Sequence, residues 1–173
     1  MLHYAVPGKG PNTLAINNPS VVPVSPKNFS TNKQFADEYY RLFMELLDAE
    51  EVYNKEYGVK DAGEVTKKGI LSTAETAVEI YMLLSDNGTV IGMATVKKSM
   101  YEGCWFLSPI VIDKRVRGKG MGRFLLDDVL KRYPKGQMLL RVHADNPAAL
   151  ALYRSLGFSE MSFTMIRDPK KVR

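Results

Sequence analysis

Residues 104–126 read CWFLSPIVIDKRVRGKGMGRFLL, three elements in succession. Cys104 to Ile112 is a strong apolar run of strand length, as a buried strand requires. Arg117-Gly118-Lys119-Gly120-Met121-Gly122 follows, with glycine at alternate positions. Phe124, Leu125, Val129 and Leu130 then recur at helical spacing. Glycines let a backbone take positive φ and bring bare N–H groups close to a ligand. A helix start adds unpaired N–H donors and a partial positive charge, the combination that binds phosphate. With Arg115, Arg117, Lys119 and Arg123 around it, the turn reads as a pyrophosphate site. The bland alternative is a tight turn that uses its glycines for geometry alone.

Two other phosphate loops are excluded by spacing. The P-loop needs four residues between its glycines and then Lys-Ser or Lys-Thr, which neither this turn nor Gly8-Lys9-Gly10 supplies. The dinucleotide fingerprint is G-x-G-x-x-G inside a parallel βαβ unit, whereas here the pattern is G-x-G-x-G.

Working upstream, Glu79–Ser85, a turn at Asp86-Asn87-Gly88, and Thr89–Lys98 read as a β-hairpin. Tyr101-Glu102-Gly103 turns into the apolar run, so the three strands form an antiparallel meander. Phe35, Tyr39, Leu42, Phe43, Leu46 and Leu47 mark a first helix, capped by Asn32 or Thr31 and ending by Gly58. A weaker helical stretch covers residues 62–77. Val21, Val22 and Val24 make a short strand that Pro23 and Pro26 confine to an edge. Residues 1–19 read as a loose extension, and residues 20–173 as one domain. Downstream, Gln137–Ala144 is a strand, Pro147–Leu156 a helix capped by Gly157, and Ser159–Arg167 a last strand. The class is α+β: a mixed, mostly antiparallel sheet of about six to seven strands with about four helices.

The chain has 173 residues, 45% hydrophobic and 25% charged, with a net charge of +5. That suits one soluble domain with a real core. No apolar run is long enough to span a bilayer, and no secretory signal is visible, so no membrane association is expected. One cysteine, Cys104, forbids an internal disulfide and implies a reducing, cytoplasmic setting. His3 and His143 show no ligand spacing, and no metal is expected. The basic excess lies beyond residue 100, which suggests that the C-terminal half handles an anion.

A resemblance enters at two motifs. Arg117-x-x-Gly120-x-Gly122 resembles the Arg/Gln-x-x-Gly-x-Gly/Ala signature of the GNAT superfamily of N-acetyltransferases. Asn146-Pro147-Ala148-Ala149-Leu150-Ala151-Leu152-Tyr153-Arg154-Ser155-Leu156-Gly157-Phe158 is similar to that family's second motif, an Asn ahead of a Tyr-bearing helix that ends in Leu-Gly-Phe. Strand order and spacing agree over residues 79–167, roughly half the chain.

The resemblance implies an enzyme that moves an acetyl group from acetyl-CoA to a primary amine of a small molecule or peptide, by direct attack in a ternary complex. Arg117, Gly118, Lys119, Gly120, Met121 and Gly122, with Arg123, would hold the CoA pyrophosphate through the loop amides. Ile110, Val111 and Ile112 would pair with the pantetheine arm where their strand splays from Gln137–Ala144. Asn146 and Ala149 would line that arm, and Tyr153 would be the acid for the departing thiolate. Tyr153 also sits in an apolar stripe with Ala149, Leu152 and Leu156, so it can equally serve the core. Members that acetylate ribosomal-protein N-termini carry a glutamate five residues before the motif Asn; here that position is Arg141. Glu79, Glu102, Asp113 and His143 are the other candidates for a base, each with a bland reading as a strand-end residue, and none is assigned.

In this family the first helix walls the acceptor site. Asp37, Glu38, Glu45, Asp48, Glu50, Glu51 and Glu56 against Arg41 and Lys55 would favour a cationic acceptor, if they are not simply a solvated face. Tyr53, Tyr57 and Tyr81 could shape the pocket or fill the core. Two other readings compete: a silent acyl-CoA-binding module, and a nucleic-acid-binding protein using the basic half with Arg167, Lys170, Lys171 and Arg173. Nucleic acid is disfavoured, because the basic residues cluster at the loop without interleaved aromatics. A monomer or a homodimer is expected.

Overall fold

A computed structural model describes residues 16–27, 29–56 and 66–162. Five strands form one sheet in the order β1-β2-β3-β4-β5. They are β1 (Ser20–Val24), β2 (Glu79–Leu84), β3 (Val90–Lys98), β4 (Cys104–Ile112) and β5 (Gln137–Leu139). The first four pair antiparallel and β5 runs parallel to β4. The helices are α1 (Lys33–Glu56), α2 (Lys67–Glu75), α3 (Met121–Arg132) and α4 (Pro147–Ser155).

Each helix start has a local cause. Asn32 Oδ1 accepts from the Phe35 amide of α1, Thr66 Oγ1 from Gly69 of α2, and Asn146 Oδ1 from Ala149 of α4. Pro147, which has no N–H to leave unpaired, occupies the first turn of α4. Helix α3 is the exception: it starts at Gly120 without a side-chain cap.

Alternation along the strands divides the core in two. One face carries Ile80, Met82, Met93 and Val111 against Tyr39, Leu42 and Leu46 of α1 and Ile70 and Ala74 of α2. The other carries Tyr81, Leu83, Ala94, Val96, Leu107 and Ile110 against Leu125, Leu126 and Val129 of α3 and Ala149 and Tyr153 of α4. Among the described residues, no helix is long and apolar enough to cross a membrane.

Among the described residues the sheet has five strands, slightly fewer than the six to seven expected. The segment read as a strand over 137–144 pairs with β4 only through Gln137, Met138 and Leu139. Residues 159–162 are not strand, and 163–167 lie outside the described residues, as do 1–15. A cause for the short β5 is visible in β4. Its partner register on β3 passes from Ala94↔Ile110 to Val96↔Leu107, which inserts an extra residue into β4 at Ser108–Pro109. A bulge bends its strand, and proline has no N–H for a ladder. The parallel ladder stops at Phe106↔Leu139, immediately before that bulge.

Candidate active site at the β4–β5 splay

From Leu107 to Ile112 the side of β4 that faced β5 has no strand partner among the described residues. β4 ends at Ile112, and a 3-10 turn, Lys114–Val116, leads on to the glycine loop. Gly118 and Gly120 hold φ of +74° and +79°, and a Cβ on either would meet nothing within 4 Å. The loop surface is therefore open, and only glycine adopts this backbone without strain. Helix α3 follows at once, and its N-cap, Gly120, has no side chain to bond the amides of the first turn.

An ion-pair network beneath the loop holds it in place. Asp113, fully buried at the end of β4, receives Arg115 Nη2 at 2.6 Å, Arg115 Nε at 2.9 Å and Arg41 Nη1 at 2.9 Å. Arg41 also pairs with Glu38 at 2.7 Å and Glu45 at 2.8 Å. Glu45 Oε2 accepts from the Lys114 amide at 3.1 Å and lies 3.5 Å from Arg117 Nη2, while Arg117 Nε donates to the Ile112 carbonyl at 2.8 Å. Burial alone pushes the Asp113 carboxyl up. The Arg115 hydrogen bonds and the charges of Arg41 and Arg115 together outweigh it and hold the group below the usual carboxylate range.

Several expectations change here. Asp113 is a buried ion-paired group rather than a solvated strand-end charge. The guanidiniums of Arg115 and Arg117 are turned to Asp113, Ile112 and Glu45. Arg123 Nη2 donates to Ser155 Oγ and so ties α3 to α4. Of the acidic residues on α1, Glu38 and Glu45 serve this network and Asp37 pairs with Lys67.

Asn146 is 1% exposed, and its Nδ2 has no hydrogen-bond partner among the described residues. An unsatisfied buried amide donor is costly, so a bound acceptor there would be stabilising. Tyr153 is buried on α4, its ring edge-to-face with Phe158 at 5.9 Å.

The family model for the acetyltransferase (GNAT) family matches residues 35–158, from the first turn of α1 to Phe158. The chain belongs to that family. N-alpha-acetyltransferase RimI of Mycobacterium tuberculosis is 36% identical over 87 residues, 47% of this chain and 52% of that protein. The ribosomal protein bS18-alanine N-acetyltransferase of Escherichia coli K12 is 36% identical over 80 residues, 44% of this chain and 53% of that protein. The chain thus spans about half the length of these curated relatives. A Bacillus halodurans structure superposes with a TM-score of 0.63 at 17% identity, covering 86% of this chain and 99% of that one. An aminoglycoside N-acetyltransferase solved in complex with CoA gives 0.61 at 14% identity, covering 88% and 95%. At such identities the likeness is one of fold.

In this GNAT chain the remaining base candidates are scattered. Glu79 accepts from Tyr81 Oη at 2.5 Å and lies 3.4 Å from Tyr133 Oη. Burial first, then the hydrogen bonds with Glu79 and Tyr133, raise the Tyr81 phenol well above its ordinary value. Glu102 is exposed in the β3–β4 turn, and His143 is half-buried beyond β5. Arg141 is exposed, its guanidinium 5.7 Å from the centre of the Phe106 ring. Cys104 and Trp105 lie on β4 as expected, Trp105 packed edge-to-face on Tyr133 at 5.2 Å.

Proposed function

We propose that this chain is an acetyl-CoA-dependent N-acetyltransferase acting on a primary amine, with residues 20–173 as one catalytic domain. The reading rests above all on β4, which has no strand partner on its β5 side beyond Phe106 among the described residues and leads through Lys114–Val116 to the glycine loop at the start of α3. Bound acetyl-CoA supplies an activated thioester carbonyl for an amine to attack. The amides of Gly118 to Gly122 bind a pyrophosphate, and the neighbouring helix start favours negative charge. Ile110, Val111 and Ile112 offer backbone groups to an extended arm, as to an added strand. The Asn146 Nδ2 donor gains a partner, and Ala149 beside it keeps the wall small.

Holding donor and acceptor together makes the transfer effectively unimolecular, and much of the rate comes from that placement. A phenol is a proton donor at neutral pH, so Tyr153 would protonate the departing sulfur, and the proton shed by the attacking amine would restore the phenol through solvent. Metal ions have no part in this scheme. The acceptor is a small molecule or a peptide, and the names of the bacterial relatives favour a peptide N-terminus as the first to try.

Thermal unfolding tests this. Acetyl-CoA at ~100 times its dissociation constant adds about 2.7 kcal/mol of stability. For a chain of this size that raises the midpoint by roughly 5–10 °C. ATP and short duplex DNA are expected to give no comparable rise. A rise with DNA and none with acetyl-CoA would instead mark the basic half as a nucleic-acid surface.

A further inference from the structure

Lys97 and Arg141 flank one aromatic side chain. Lys97 on β3 is the direct register partner of Phe106 on β4, so the two share a face of the sheet. Their neighbours Val96 and Leu107 pack against α3 and α4, which puts Lys97 and Phe106 on the α1–α2 face. Arg141, which follows β5 on the other side of β4, lies over the same Phe106 ring. One cation on β3 and one just past β5 thus flank Phe106, where the β4–β5 ladder stops.

Neither cation has an anionic partner among the described residues. Lys97 is half-buried, and that burial draws its ammonium below the ordinary lysine value. A partly desolvated ammonium without a counter-ion is unfavourable and is relieved by an anion. The Arg141 guanidinium, 5.7 Å from the centre of the Phe106 ring, carries the fork that matches a carboxylate.

The position argues against a second phosphate site for the cofactor. Phe106 lies six residues before Ile112 along β4, roughly 20 Å at ~3.3 Å per residue, and the glycine loop lies beyond Ile112. It is the last β4 residue paired with β5, at the mouth of the splay, where a reacting carbonyl and its acceptor would meet. Resting on the acetyltransferase reading above, we propose that the acceptor amine is borne by a molecule that also carries a carboxylate, bound by Lys97 and Arg141 beside Phe106. The carboxylate could belong to a free amino acid or to acidic side chains following a peptide N-terminus. Either presents the same chemistry.

Matched acceptors separate the outcomes. Alanine is compared with alaninamide, and the C-terminally amidated tripeptide Ala-Glu-Glu with Ala-Gln-Gln and Ala-Lys-Lys. Each is followed by acetyl transfer and by calorimetric binding in the presence of CoA. In at least one pair the carboxylate member is expected to be favoured ~10–100-fold, the worth of one or two charged hydrogen bonds. Whichever pair shows the preference identifies the source of the carboxylate. Lys97→Met and Arg141→Gln should each shrink that ratio several-fold, while the stabilisation by acetyl-CoA persists. Equal binding within both pairs, a preference for Ala-Lys-Lys, or a ratio that survives both substitutions overturns the inference. Loss of the acetyl-CoA effect in the unmodified protein is a different result. It removes the enzyme reading, and calorimetry without cofactor still reports whether carboxylates are preferred.

Discussion

Tyr153→Phe is expected to lower kcat by ~10²–10⁴-fold, the usual contribution of a positioned general acid, while leaving the stabilisation by acetyl-CoA intact. The substitution keeps the ring, so the edge-to-face contact with Phe158 and the apolar packing against α3 are retained. The loss should fall on turnover rather than on cofactor affinity. A variant that binds acetyl-CoA normally but transfers slowly supports the acid role. A variant with wild-type turnover returns Tyr153 to the core, with water protonating the leaving group. The comparison is sharpest with acceptors that are poor nucleophiles, where departure of the thiolate weighs most on the rate.

Asp113→Ala is expected to be the most destabilising single change near the loop. It removes the fully buried acceptor of Arg115 and Arg41, while both guanidiniums stay about a third exposed and Arg41 keeps Glu38 and Glu45. The loss is that of hydrogen bonds to a charged group, about 1.5–3 kcal/mol. For a chain of this length the midpoint would fall by roughly 3–12 °C. Acetyl-CoA affinity should fall as well, since Arg115 and Glu45 anchor the backbone just ahead of the glycines. The pH dependence follows from the depressed carboxyl pKa. The stabilisation is complete above the unfolded value of ~3.9 and is lost as pH drops through the lower folded value. A thermal series from pH 7 to pH 3 should therefore steepen at its acid end in the unmodified protein and flatten there in Asp113→Ala. Identical acid limbs in the two would show that Asp113 carries no linked proton.

Local signals in the sequence located most elements, and non-local ones stayed hidden. The bounds of β4 follow from its apolar run, and the start of α4 from Asn146-Pro147, because capping and proline act over a few residues. The glycine alternation at 118–122 marked the loop and the start of α3 for the same reason. By contrast, Glu45 and Lys114 meet across 69 positions, and nothing near either residue announces the other. The acidic stripe of α1 read as a solvated face or an acceptor wall, yet Glu38 and Glu45 turn toward Arg41 and the loop. The length of β5 depended on a bulge in its neighbour, so its alternating pattern over 137–144 overstated the strand. Lys97 gave no signal either, since its meaning comes from Phe106 opposite it and Arg141 beyond.

Hydrogen exchange at backbone amides, with and without saturating acetyl-CoA, tests the central claim most directly. The account predicts slowed exchange in the unpaired stretch of β4 at residues 110–112 and in the loop and first turn of α3 at residues 118–123. The outer strands β1 and β2 should be unaffected. Protection confined to other segments, or unchanged exchange along β4 and the loop while acetyl-CoA is bound, would contradict it.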